Sequence, residues 1–259
     1  MARLLIAHRR VLWTTARIEL DKRYSGSLLG RAWVVLYPLL FLSVYLFLYL
    51  VIFKIRLAGF SQLDYVAYIF CGLVPYIAFM EAASGGAVAI KQNIHLIRNV
   101  FLPMELIPAR IVVMALVSEA IGLVMLVILT TVSGSLSIHI ALLPVAIVIQ
   151  VVFLLGVALL ISPPGLLLPD VAYFTNLLVL FVLFVTPIAF KPDAVPAGIR
   201  FIVWLNPIYY LLAPFRAAVL GKQPIEWDLI LVAMVLAGST FWAGSALFAR
   251  CKGFLVDHE

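Results

Sequence analysis

Six separate stretches of this chain are long and apolar enough to cross the hydrocarbon core of a membrane. They run approximately over Trp33–Phe53, Tyr65–Ile90, Ile111–Val132, Ile140–Ile161, Val171–Phe190 and Asp228–Ala249. About 20 helical residues, rising about 1.5 Å each, cover about 30 Å of hydrocarbon. Composition agrees, because 65% of the residues are hydrophobic and 12% charged, against about 45–50% and about 25% in a soluble domain. So little polar surface cannot clothe a soluble globule, and lipid must be the solvent for most of the chain. Alternating strands of about ten residues, the mark of a membrane barrel, are absent. Backbone groups in lipid must be satisfied within their own segment, so the runs read as helices. The expected fold class is an all-α membrane protein with six transmembrane helices.

The cations set the orientation. Residues 1–32 hold Arg3, Arg9, Arg10, Arg17, Lys22, Arg23 and Arg31, the loop after the second run holds Lys91, Arg98 and Arg110, and the tail holds Arg250 and Lys252. The opposite side holds Lys54, Arg56, Lys191, Arg200, Arg216 and Lys222. Twelve against six places both termini in the cytoplasm by the positive-inside rule. The same scatter argues against nucleic acid despite the net charge of +6, since no continuous basic patch forms. No removable signal peptide is expected, because the first apolar run is of full membrane length and lacks a small-residue cleavage site.

The stretch Gly198–Gly221 is apolar enough to rival a seventh span. It carries Arg200, Arg216, Asn206-Pro207 and Pro214, which suit a broken, re-entrant helical hairpin dipping in from the outer face. A seventh span would also put Arg250 and Lys252 outside. The chain therefore divides into a cytoplasmic amphipathic interface segment over 1–32 and a six-span domain over 33–259, with a re-entrant outer region over 191–227 before the last span.

If residues 1–21 are helical, Arg3, Arg10, Thr14, Arg17 and Asp21 line one narrow face, away from Leu4, Leu5, Val11, Leu12 and Ile18. A basic stripe beside a broad apolar face describes a helix lying in the membrane interface, as a gate, a docking element or a plain topology anchor. Span one carries an aromatic at every fourth position: Trp33, Tyr37, Phe41, Tyr45, Tyr49 and Phe53. Residues four apart lie on nearly one face, so the rings wind slowly through the membrane depth. Such a stripe either packs helices or offers faces for sugar rings, with tyrosine hydroxyls exchanging hydrogen bonds. Two carboxylates, Glu81 and Glu119, fall within neighbouring spans. They either line an aqueous path or bond across a helix interface. A proton relay is disfavoured, since no His or Asp sits at similar depth.

The loop 91–108 contains Ile94, Ile97 and Phe101 at the spacing of a short amphipathic helix. No phosphate loop, no His-Glu-x-x-His, no CxxC and no nucleophile elbow occurs. Cys71 and Cys251 cannot staple a fold, and His8, His95, His139 and His258 are too dispersed for a metal site. A nucleotide-binding loop of that kind is thus lacking, and no cofactor is expected in this chain.

Several motifs carry a family resemblance. Residues 23–33, from Arg23-Tyr24 through Leu29-Gly30 to Trp33, precede Tyr37-Pro38. Asn99-Val100-Phe101-Leu102-Pro103 with Pro108 opens span three, Thr186-Pro187-Ile188 closes span five, and Asn206-Pro207-Ile208-Tyr209-Tyr210 follows. In this order the chain resembles the permease subunits of type-2 ABC exporters for O-antigen, teichoic acid and capsule polysaccharides. One departure is Pro169-Asp170, where the family commonly has Arg-Asp.

The resemblance implies a homodimer enclosing a central path in the bacterial inner membrane, with two cytoplasmic ATP-binding subunits that hold ATP and magnesium. It implies a lipid-linked glycan as substrate, with Tyr37, Phe41, Tyr45, Tyr49, Glu81 and Glu119 as candidates for the translocation path. The loop 91–108 corresponds to the family's coupling helix, with Asn93, Ile94, His95, Ile97, Arg98 and Phe101 docking on the ATPase; a connector resting on the membrane surface is the plainer alternative. Lys22, Arg23 and Arg31 are candidates to hold the carrier diphosphate by charge-assisted bonds, or serve topology alone. An exporter of small hydrophobic drugs or lipids would share the architecture, and a membrane-embedded lipid-carrier enzyme is the more distant alternative.

Overall fold

The computed structural model describes residues 2–55, 59–94, 103–221 and 225–257. Among these every regular element is helical. In chain order they are α1 (Ala2–Ala7), α2 (Arg9–Tyr24), α3 (Trp33–Leu46), α4 (Gln62–Gln92), α5 (Leu106–Val132), α6 (Leu143–Leu167), α7 (Asp170–Val185), α8 (Phe201–Leu205), α9 (Pro207–Val219) and α10 (Trp227–Asp257). A π-helical turn over Phe47–Ile52 extends α3. Among the described residues five helices are long and apolar enough to cross a membrane.

The fold is built around α4. Its first turn is fixed by a capping box, in which Ser61 Oγ accepts from Asp64 N at 3.2 Å and Ser61 N donates to Asp64 Oδ2 at 3.0 Å. From there 31 residues run without interruption, rising about 46 Å at about 1.5 Å each, past the Pro75 inside the helix. The helix packs against α3, α5, α6, α7 and α9. It is accordingly apolar all round, with Tyr68, Ile69, Leu73 and Tyr76 fully buried. The apolar part of α3 is only 17% buried against 78% for α4, which puts span one at the edge of the bundle.

Close helix contacts are made through small residues, as lipid-embedded helices require. A Cβ on Gly156 of α6 would lie 2.5 Å from the backbone nitrogen of Phe241 on α10. One on Gly86 of α4 would lie 3.1 Å from Ala158 Cα on α6. These contacts set α4 and α10 closely against α6.

One boundary differs from expectation, and one apolar stretch is broken at its Asn-Pro pair. Helix α7 stops at Val185 and spans 16 residues, because Pro187 disfavours helical backbone at Thr186; residues 186–190 leave the helix. The stretch Gly198–Gly221 is two helices, α8 and α9, that meet at Asn206. Pro207 begins α9 at a position where its missing N–H is no loss, and the Asn206 side chain caps it by accepting from Ile208 N at 3.0 Å.

Candidate functional site

The aromatic stripe of span one forms a continuous ladder. Successive ring centroids from Tyr37 through Phe41, Tyr45 and Tyr49 to Phe53 are 6.0, 5.9, 5.6 and 5.7 Å apart. A four-residue step overshoots an α-helical turn by about 40°, so a straight helix would carry the upper rings off the face. The π turn offsets that drift, since its hydrogen bonds reach five residues back, as in Phe53 N to Leu48 O at 2.8 Å. Ring contact therefore persists to the end of the span. The rungs differ in environment: Tyr45 is buried against the core, Phe41 and Tyr49 are half-buried, and Tyr37 is exposed.

Cavities flank the ladder. One of about 470 Å³ near the end that carries the chain termini is lined by Tyr37, Glu81, Ser84 and Glu19. Another of about 630 Å³ at the opposite end is lined by Leu50, Lys54, Gln62 and Tyr65. Tyr37 and Glu81, singled out separately in the sequence, thus share one hollow. Glu119 lies elsewhere. It is buried between helices, where its Oε2 accepts from Gln150 Nε2 at 3.2 Å, and the same amide donates to Pro75 O at 3.1 Å. This is a bond across a helix interface tying α4, α5 and α6.

The termini end is organised by Arg110, buried in the first turns of α5. Its guanidinium donates to Asn93 Oδ1 at 2.6 Å and approaches Glu19 Oε2 at 3.8 Å, joining the end of α4 to α2. Asn93 also donates through its Nδ2 to Ala89 O at 2.8 Å, closing α4. On the other side of the connector, Lys252 of α10 donates to the buried Glu105 at 2.7 Å. The connector that holds the candidate coupling residues is therefore anchored at both ends. Asn93 and Ile94 are half-buried; His95, Ile97, Arg98 and Phe101 lie outside the described residues. Lys22 is exposed in the last turn of α2, Arg23 is the next-to-last residue of that helix, and Arg31 sits in a single 3-10 turn before span one.

A third cluster, at the far end, escaped sequence reasoning. The non-helical segment 186–190 presents carbonyls that α7 no longer satisfies. Arg216 donates to Pro187 O at 2.6 Å and Ile188 O at 3.2 Å, Tyr65 to Ala189 O at 2.7 Å, and Tyr68 to Phe190 O at 3.2 Å. The Arg216 guanidinium also stacks over the Tyr68 ring, 4.1 Å from its centroid. The available signal was an arginine within a proline-broken apolar stretch, which reads from sequence as an outer charge and a mark of the broken hairpin, with no partner indicated. Among the described residues no three His, Cys, Asp or Glu side chains come together as metal ligands.

The sequence profile of the ABC-2 type transporter family matches residues 10–220. An O-antigen export system permease protein RfbA of Myxococcus xanthus is 26% identical over 251 residues, covering 96% of this chain and 95% of its own. Two proteins of the same designation from Klebsiella pneumoniae are 26% identical over 201 residues and 23% identical over 237 residues, covering 76% and 90% of this chain and 75% and 89% of their own.

Proposed function

The chain belongs to the ABC-2 type transporter family, and from that membership we propose that it is the transmembrane permease of an ATP-driven exporter of lipid-linked polysaccharide. The observation that carries the substrate reading is the unbroken ladder from Tyr37 to Phe53. Each unpaired hydroxyl brought into hydrocarbon costs about 4–8 kcal/mol, so a glycan crosses only along a path that offers ring faces and hydrogen-bonding groups. Tyr37, Phe41, Tyr45 and Tyr49 supply both kinds of group along span one, with Glu81 beside the lower rung. The named relatives, O-antigen export permeases, support the same substrate class.

In this reading there are six spans, with α7 as the short fifth, and both termini lie in the cytoplasm of the bacterial inner membrane. Helices α8 and α9 are the two arms of a re-entrant region on the outer face. Helices α1 and α2 lie along the inner interface, where Lys22, Arg23 and Arg31 meet the carrier diphosphate. Span one lies at the bundle edge, so its ladder becomes a corridor when a second copy of the chain faces it; Glu119, expected to line that path, instead braces the bundle behind it through Gln150. The connector after α4 docks on a separate ATP-binding subunit through Asn93, Ile94, His95, Ile97, Arg98 and Phe101. That subunit, with its ATP and magnesium, does the hydrolysis, and this chain is the transport subunit.

Copurification with untagged neighbours, followed by reconstitution, tests the assignment. The expected result is a nucleotide-binding partner whose ATP hydrolysis rises with lipid-linked glycan. Hydrolysis stimulated by small hydrophobic drugs and indifferent to glycolipid would contradict it.

A further inference from the structure

Beyond the ladder, the far end of the bundle holds a cavity of about 410 Å³, within the range of small-molecule sites, about 300–1,000 Å³. Its walls combine two kinds of surface. Phe60, Tyr68, Trp204 and Tyr209 supply aromatic area, and Lys191, Asp193, Arg200, Arg216 and Glu226 supply charged hydrogen-bonding groups. The polar groups are held in place. Arg200 pairs with Asp193 at 3.7 Å and donates to Val195 O at 3.2 Å. Lys191 Nζ lies 5.8 Å from the centre of the Phe60 ring. Arg216, only 8% exposed, is fixed by the 187 and 188 carbonyls, yet its Nε has no hydrogen-bond partner among the described residues.

The chemistry of the occupant follows from this lining. Three cations stand against two carboxylates, one of them already paired, so the site does not concentrate the positive charge that a free phosphate or sulfate would need. Rigid aromatic faces set among planar donors and acceptors suit a polyhydroxylated ring, whose C–H faces pack on aromatic carbons while its hydroxyls bond at the edges. We propose that this cavity binds a short, near-neutral segment of the exported glycan at the outer face, as a holding site separate from the ladder. The inference rests on the exporter reading for its orientation and for the identity of the sugar. A site that grips sugars on the outer side would hold the emerging chain between strokes and oppose its return.

The test uses the full-length chain in nanodiscs of phosphatidylethanolamine and phosphatidylglycerol. The probe is oligosaccharide released by mild acid from the surface polysaccharide of the cell that makes the protein, with binding followed by calorimetry. Trp204→Ala and Lys191→Ala alter exposed side chains of the cavity, and Trp242→Ala alters an exposed ring elsewhere on α10. Elution as a single species on gel filtration checks the fold of each. The expected result is that both cavity variants weaken binding by at least about tenfold and that Trp242→Ala does not. Equal affinity in all variants, or binding relieved by soluble short-chain phosphatidylglycerol and not by added sugar, overturns the proposal. So does absence of binding in a protein whose assembled complex exports glycan; in that case the exporter reading stands. If the assembled complex exports no glycan while the cavity still binds the probe, it is the exporter reading that falls.

Discussion

The side-chain amide of Asn206 donates to the Thr186 hydroxyl at 2.8 Å, joining two motifs 20 residues apart. Thr186 directly follows α7 and Asn206 directly precedes α9, so one buried bond ties the end of that helix to the far-end helices. Asn206 also caps α9 through Ile208 N. Replacement by alanine removes both interactions, at about 0.5–2 kcal/mol for the cap and about 0.5–1.5 kcal/mol for the buried bond. Thr186→Val loses that bond together with the one its hydroxyl donates to Val182 O at 2.6 Å, so both single variants are expected to melt earlier than the wild type in detergent, and the double variant to lose less than the sum of the two. Additive losses in the double variant would contradict the pairing.

Arg110 is the junction of α2, α4 and α5. Its distance to Glu19 is long and Glu19 is 36% exposed, so that pair contributes little, about 0–1 kcal/mol. The bond to Asn93 is short and sheltered. The expected order of damage is therefore Arg110→Ala well above Asn93→Ala, and Asn93→Ala above Glu19→Gln. Coupling should follow the same order: the Arg110 variant hydrolyses ATP in the complex without a glycolipid response. Glu19→Gln as the most severe of the three would refute the arrangement.

The close approach of α6 and α10 at Gly156 leaves no room for a side chain. Gly156→Leu forces the helices apart and is expected to destabilise by at least about 1–3 kcal/mol, the range of ordinary overpacking. Gly238, whose added Cβ would meet nothing within 4 Å, is the matched site on α10. Gly238→Leu should leave thermal stability in detergent almost unchanged.

The rungs of the ladder should separate into stabilising and transporting residues. Tyr45 is 6% exposed and Tyr37 38%. Tyr45→Ala is expected to lower the melting temperature most, as removal of a buried aromatic costs about 3–5 kcal/mol in well-packed cores. Tyr37→Ala should leave stability within about 0.5 kcal/mol while reducing export. The reverse ranking in a melting assay would show that the ladder faces the other way.

Much of this architecture is written in local pattern. Apolar length sets the spans, the four-residue aromatic spacing gives the ladder, and Asn206-Pro207 marks the break in Gly198–Gly221. What is missing from the pattern depends on partners distant in the chain. Gln150 carries no charge and draws no notice until it is found between Glu119 and Pro75. Arg216 counts as an outer cation in a proline-broken stretch until it is found converging with Tyr65 and Tyr68 on the carbonyls of 187–190. The π turn over Phe47–Ile52 leaves no mark in composition, because its residues are ordinary helix formers in lipid. The end of α7 at Val185 was legible in Pro187, yet the apolar run to Phe190 outweighed it in a reading based on hydrophobic length.

The most direct measurement is export of lipid-linked glycan by the reconstituted permease and its ATPase when Tyr37, Phe41 and Tyr49 are all changed to leucine. This leaves the buried Tyr45 and the apolar length of span one intact. The expected outcome is a stable, assembled complex whose export falls by at least about tenfold, equivalent to about 1.4 kcal/mol of barrier, with ATP hydrolysis no longer tied to glycan. Wild-type export with normal coupling would mean that the aromatic track packs helices and carries no sugar.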